Sequence, residues 1–227
     1  MYDIVFISYK EPNADEVYAK LKETYPMAKR VHGVDGIHNA HVAAAKKCFT
    51  KMFWVVDGDA VIKDDFKFDY EVSEYDLDCV HVWRCENPIN GLVYGYGGVK
   101  LLPRSLTLKM NTGTVDMTTS ISDKFKPMEQ VSNITAFNTD PFNSWKSGFR
   151  ECVKLASKVI DRQEDDETIK RLDTWCEAGM DKPFGDYCIA GARDGRNFGN
   201  THSNEPGTLA LINDWNWLNE RFSKNSI

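Results

Sequence analysis

The chain has 227 residues, 42% of them hydrophobic and 12% aromatic, with a formal net charge of -6. That size and composition suit one folded core and a single domain over residues 1–227. The acidic balance argues against broad non-specific nucleic-acid binding, which draws on Lys and Arg against phosphates, and the longest apolar run, five residues, falls far short of a membrane span of about 20.

Residues 3–8 read as a short apolar strand running into Ser8-Tyr9-Lys10-Glu11. Pro12 opens a helix over 13–25, in which Val17, Leu21 and Tyr25 fall on one stripe. A second strand over 28–31 ends in a loop marked by Gly33 and Gly36. The helix that follows, 38–49, carries Ala40, Ala43, Ala44 and Cys48 on one face, small enough for close packing on a sheet. Met52-Phe53-Trp54-Val55-Val56 then runs unbroken into Asp57-Gly58-Asp59, a strand buried on both faces that delivers carboxylates to a sheet edge. This β-α-β-α-β order predicts a mostly parallel sheet flanked by helices, with ligands at the carboxyl ends of its strands. Ser8, Tyr9 and Glu11 would there meet Asp57 and Asp59. Strand alternation places Asp57 and Asp59 on one side, and Gly58 admits a close approach. Their oxygens suit Mg²⁺ or Mn²⁺ completed by substrate phosphates; the plain alternative is a strand ending in an Asp-Gly turn.

Past Asp59 the alternation stops. Residues 79–84 read as a strand, 94–98 as a glycine-rich loop entering a strand over 99–102, and 117–128 and 131–137 as extended. A long helix begins at Pro141, capped by Thr139 or Asp140, with Phe142, Trp145, Phe149, Val153, Ala156 and Ile160 at spacings of three and four. Gly148 inside it gives up about 1 kcal/mol against alanine and points to another element close by. A helix over 165–178, a glycine-rich, loop-like tail over 182–207 and an aromatic helix over 209–222 complete the chain. The expected fold is α/β, with a Rossmann-like N-terminal half continuing into a mixed sheet flanked by helices. The six cysteines form no CxxC pair and read as reduced, buried thiols. The opening Met1-Tyr2-Asp3 lacks a secretory basic region, so a soluble, cytoplasmic protein is expected.

The first strand, the small-residue helix and the strand ending in Asp57-Gly58-Asp59 resemble a nucleotide-sugar glycosyltransferase of the GT-A fold, whose hallmark is an Asp-x-Asp pair. The resemblance implies a donor half over residues 1–100 and an acceptor half over 101–227. It implies that Ser8, Tyr9 and Glu11 hold base and ribose of a donor such as a UDP-sugar, and that Asp57, Gly58 and Asp59 hold ribose, metal and diphosphate; His38, at the start of its helix, would meet a phosphate or the base, with a structural role as the alternative. Family members often add a C-terminal histidine to the metal shell, and His202 in Thr201-His202-Ser203 stands where it is expected; an ordinary surface role is the alternative. An inverting enzyme needs a carboxylate base, which related enzymes place near the start of a helix after the acceptor loop; Asp140 fits that position, with Asp186 and Glu151 as competitors and helix capping as its other role. A retaining enzyme needs no such base. Tyr94, Tyr96, Gly97, Gly98 and Trp145 would form an acceptor platform.

The chain as a whole, from Tyr2-Asp3-Ile4-Val5-Phe6-Ile7-Ser8-Tyr9 to Trp215-Asn216-Trp217, also resembles small bacteriophage glycosyltransferases, some of which modify hydroxymethylated pyrimidines in DNA. That implies hydroxymethylated DNA as one acceptor and a host cytoplasm as the setting. Charge bears on this both ways. Residues 57–90 hold ten acids against Lys63, Lys67 and Arg84, a local net of -7, whereas residues 91–160 hold nine bases and five acids, a net of +4. The alternatives are a glycan or protein acceptor, a haloacid-dehalogenase-type phosphatase with Asp57 as nucleophile, and a non-catalytic carbohydrate- or nucleotide-binding module.

Overall fold

A computed structural model describes residues 1–95, 97–159 and 164–225. The fold is α/β, and the chain divides into two compact units. The first comprises Met1–Asn87, Val93–Thr112 and Met117–Ala136, and the second Pro88–Leu92, Gly113–Asp116 and Phe137–Ile227. The main division falls after Ala136.

The first unit is built on one mixed sheet. Its strands are β1 (Asp3–Ser8), β2 (Lys29–His32), β3 (Met52–Asp57), β4 (Ala60–Ile62), β5 (Val80–Glu86), β6 (Val93–Tyr94), β7 (Val99–Pro103) and β8 (Phe125–Thr135), in spatial order β2-β1-β3-β7-β5-β8-β4 with β6 on β5. The helices α1 (Ala14–Thr24) and α2 (Ile37–Lys47) connect β1, β2 and β3 as parallel neighbours. β7 then enters antiparallel to β3, and β5 antiparallel to β7. The predicted β-α-β-α-β start and the mixed continuation are both present.

β3 explains why the sheet holds together. Trp54 and Val56 pack on one face with Ile4, Phe6, Leu21 and Trp83. Phe53 and Val55 pack on the other with Val5, Val31, Ala44 and Cys48. Five apolar residues in a row are what a strand covered on both sides requires. The acidic stretch after Asp59 also serves the core, since Phe66 and Phe68 fold back on Trp54, with ring centroids 6.1 and 5.1 Å away. Two short helices, α3 (Arg104–Thr107) and α4 (Met117–Ile121), follow β7. The extended reading of 117–128 is corrected at α4. Met117 and Ile121, one turn apart, both bury in the α2 face, which outweighs the strand preference of the Thr and Ser between them.

The second unit is helical: α5 (Pro141–Ser157), α6 (Asp165–Glu177), α7 (Gly185–Thr201), α8 (Pro206–Leu209) and α9 (Trp215–Asn225). The loop-like reading of 182–207 is the larger correction. Gly191, Gly195 and Gly199 recur every four residues, so on a helix they form one stripe rather than a set of breaks. A Cβ at Gly191 would overlap the Trp145 carbonyl, one at Gly195 the Phe149 carbonyl, and one at Gly199 would lie 2.7 Å from the Val153 carbonyl oxygen. Both series advance in step, so α5 and α7 run in the same direction with their backbones touching. Gly148 answers from α5, where a Cβ would overlap the Cys188 carbonyl, the close approach its mid-helix position signals. α5 ends where Lys158 turns left-handed at φ 55; Ile160 lies outside the described residues. All six cysteines are buried and outside any disulfide. Among the described residues no helix is long and apolar enough to cross a membrane.

The helix contact yields a prediction. Gly195→Ala pushes a methyl group against the Phe149 carbonyl and should lower unfolding free energy by about 1–3 kcal/mol. Gly207→Ala, with nothing within 4 Å of its added carbon, should leave it unchanged. Urea denaturation of the two variants measures the difference, and equal midpoints would refute the backbone contact.

Candidate functional site

Strand alternation brings out the first acid. Asp57 is in step with Phe53 and Val55 and therefore emerges on the α2 face of β3. Lys100 pairs with Val55 across the β3–β7 ladder, which sets it on that same face. Its Nζ donates to Asp57 Oδ2 at 2.6 Å, and the Gly98 N–H donates to the same oxygen at 3.0 Å. The Asp57 N–H in turn donates to the Gly98 carbonyl at 2.9 Å. The lysine side chain is 5% exposed and that of Asp57 27%, so a buried ammonium lies beneath a carboxylate that reaches the surface. Burial pushes the Asp57 carboxyl up, but Lys100, His41 and the two hydrogen bonds outweigh it and hold the group below its ordinary value.

Glycines make this packing possible. Gly98 has φ +92, and a Cβ there would overlap the Asn133 side chain. Asn133 is fixed in turn, accepting from Ser132 Oγ at 2.8 Å and donating to Thr135 Oγ1 at 3.0 Å. A Cβ on Gly58 would lie 2.8 Å from Glu11 Oε2, so the loop after β1 presses directly on the Asp-Gly-Asp turn. β3 ends at Asp57, however, and Gly58 and Asp59 form a turn before β4. The same-side argument for Asp57 and Asp59 is corrected accordingly, because strand alternation does not reach Asp59. Asp59 is half-buried, and its carbonyl accepts from the Ala136 N–H at 2.7 Å. Gly97 and Gly98, expected with the acceptor, lie against Asp57, which is 3.7 Å from a Cβ built on Gly97.

The loop after β1 is tied inward. Ser8 Oγ accepts from Arg30 Nε at 3.0 Å and lies 3.0 Å from His32 Nδ1, so this buried hydroxyl joins β1 to β2. The Tyr9 N–H donates to Glu11 Oε2 at 2.7 Å. Burial and the Asp35 carboxylate raise the Tyr9 hydroxyl above its ordinary value. His38 is buried in the first turn of α2, and one turn on His41 is 1% exposed. His41 Nδ1 bonds the Ile37 carbonyl at 2.7 Å, which makes Nδ1 the protonated nitrogen and Nε2 an acceptor, and Nε2 is buried without a partner among the described residues. Burial first, and then the Lys100 ammonium, hold His41 down to about 4.

The other expected residues belong to the second unit. Asp140 caps α5: its Oδ1 accepts from the Asn143 N–H at 2.8 Å, and its Oδ2 accepts from Asn143 Nδ2 at 2.6 Å and from Thr139 Oγ1 at 3.2 Å. Trp145 is corrected as an acceptor platform: it is 3% exposed, stacked on Phe149 at 4.8 Å inside the helical core, with no ring face to offer. His202 follows α7, its Nδ1 lying 3.0 Å from Glu205 Oε2. Glu151 is on α5, and Asp186 is exposed in the first turn of α7. Tyr96 lies outside the described residues, and Tyr94 is buried on β6.

Charge and metal donors follow from these pairings. The basic 91–160 stretch is largely matched by acids, with Lys100 on Asp57, Lys124 on Asp78, Lys126 on Asp76, Lys154 on Asp116 and Lys158 on Asp165. Among the described residues no three of His, Cys, Asp or Glu come together as a metal site. Asp57, with Oδ2 already bonded, and Asp59 are two carboxylates at one strand end. Such a pair fits Mg²⁺ or Mn²⁺, which rely on one or two carboxylates plus ligand phosphates rather than a closed protein cage.

No protein-family model and no curated protein sequence matches the chain. The solved structure of HddC from Yersinia pseudotuberculosis aligns with 58% of this chain and 92% of its own, at 14% identity and a TM-score of 0.40.

The buried histidine sets a pH dependence. Between its ordinary 6.5 and about 4, the unfolded chain binds a proton that folded His41 refuses, so stability falls as pH drops through that window. The full loss is about 3 kcal/mol. Denaturant titrations at pH 7 and pH 4 should show it, and His41→Gln should flatten it; an equally steep fall in the variant would assign the effect elsewhere.

Proposed function

We propose that this protein transfers a sugar from a nucleoside diphosphate donor, bound at the carboxyl end of β1 and β3, to a hydroxyl acceptor. The observation that carries the reading is the Asp57-Gly58-Asp59 turn, with Asp57 fixed by Lys100 and Gly98 and Gly58 pressed against Glu11. Donor binding at the ends of parallel strands is where a doubly wound sheet places its ligands. Asp59 and the Oδ1 oxygen of Asp57 would hold Mn²⁺ or Mg²⁺, which would supply Lewis-acid stabilisation of the leaving diphosphate. Tyr9 and Glu11 would border the base and ribose, Gly97 and Gly98 the phosphates. The matched charges of residues 91–160 favour an acceptor recognised by its hydroxyl and its shape over one gripped mainly through phosphates. A glycan or protein hydroxyl is an acceptor of that kind; a hydroxymethylated base in DNA is the other acceptor the test includes.

The test is nucleoside diphosphate release from a panel of nucleotide sugars with Mn²⁺, using 5-hydroxymethylcytosine DNA, unmodified DNA or no acceptor. Release from one donor is expected, and Asp59→Ala should reduce it at least 100-fold, roughly the scale of losing a transition-state charge contact, with an unchanged melting curve. Turnover of p-nitrophenyl phosphate with no release from any donor would replace the transferase by a phosphatase using Asp57.

A further inference from the structure

Lys100 is a charged residue inside a wholly buried strand, Val99-Lys100-Leu101-Leu102-Pro103. Burying an ammonium is costly unless it is paired and its donors are satisfied. Only one Nζ–H has an acceptor among the described residues, Asp57 Oδ2, which leaves two donors of a nearly enclosed cation without a protein partner. His41 Nε2, buried and unpartnered, lies on the facing helix within electrostatic reach of the pair. Unmet ammonium donors and a buried imidazole acceptor therefore lie beside a strand-end carboxylate that reaches solvent. The ammonium lacks acceptors, and a small, multiply charged anion would supply them.

We propose that Lys100 is a binding residue for the donor's diphosphate, which it anchors through its free N–H groups while staying bonded to Asp57, so that phosphate binds first and the divalent cation joins it. This rests on the donor-site reading above. The charges give the order. Lys100 neutralises Asp57 and repels a bare divalent cation a few ångströms away, so the empty site holds metal poorly. A diphosphate brings negative charge for the ammonium and the metal to share. Each then raises the other's affinity by the same factor.

Two titrations test the order: inorganic pyrophosphate with EDTA by calorimetry, and Mn²⁺ alone by electron paramagnetic resonance. Lys100→Met keeps the side-chain length without the charge and should weaken pyrophosphate at least about tenfold, the scale of one charge-assisted hydrogen bond, while tightening Mn²⁺. Lys100→Arg should bind pyrophosphate within a few fold of the parent. Asp57→Asn removes the competing carboxylate and should tighten pyrophosphate, which gives a second reading if the methionine variant does not fold. Pyrophosphate affinity unchanged in Lys100→Met or Asp57→Asn, or absent from a parent protein that binds a nucleoside diphosphate with Mn²⁺, overturns the phosphate-first role alone. A parent protein that binds neither pyrophosphate nor any nucleoside diphosphate, with or without Mn²⁺, overturns the donor site as well.

Discussion

The ion pair between Lys100 and Asp57 constrains the first unit more than any other contact, because each partner fixes a different part of the sheet. Lys100 can lie under Asp57 only if β7 runs antiparallel to β3 in the register that sets it opposite Val55. Asp57 can face it only if β3 is buried on both sides in the observed phase, with Phe53 and Val55 toward α2. Gly98 must then adopt a positive φ to turn its N–H onto the same carboxylate, and the hydrogen-bonded Asn133 fills the space its missing side chain leaves. Breaking such a pair by removing one partner costs several kcal/mol, since the other is left charged and buried. A site with so little freedom is preorganised, a requirement for stabilising charge in a leaving group.

The second unit solves a different problem by closing the distance between helices. With glycine at three successive turns of α7 and a fourth on α5, the two backbones meet without intervening side chains. Trp145, Phe149 and Phe198 then fill the space beside the seam instead of pointing outward. The same arrangement withdraws Trp145 from any acceptor, and Asp140 is half-buried at the start of α5, bonded by Asn143 and Thr139.

Much of the fold was legible because burial and period coincide in it. β1, α1, α2 and β3 each carry one clear apolar pattern, and each forms within a residue or two of its expected limits. The failures have physical causes. Glycine reads as a breaker when counted and as a packing surface when spaced by four, so α7 was legible only through its period. Thr and Ser between Met117 and Ile121 hid a single helical turn decided by tertiary burial. Within the site, Asp57 and Gly58 stand out on the page, whereas Lys100 and His41 depend on pairing and helix placement. The signal for Lys100 was present all the same: one cation in a run of buried apolar residues has to have a reason.

The measurement that tests the donor-site claim most directly is a nitrogen–proton NMR titration of the protein with uridine and guanosine diphosphates in the presence of Mg²⁺. If the donor binds where the β1 and β3 strands end, the largest shifts fall on the amides of Tyr9, Gly58, Asp59 and Gly98, and Asp57→Asn changes them. Shifts confined to other amides, or none at millimolar nucleotide, would contradict a donor site built on Asp57.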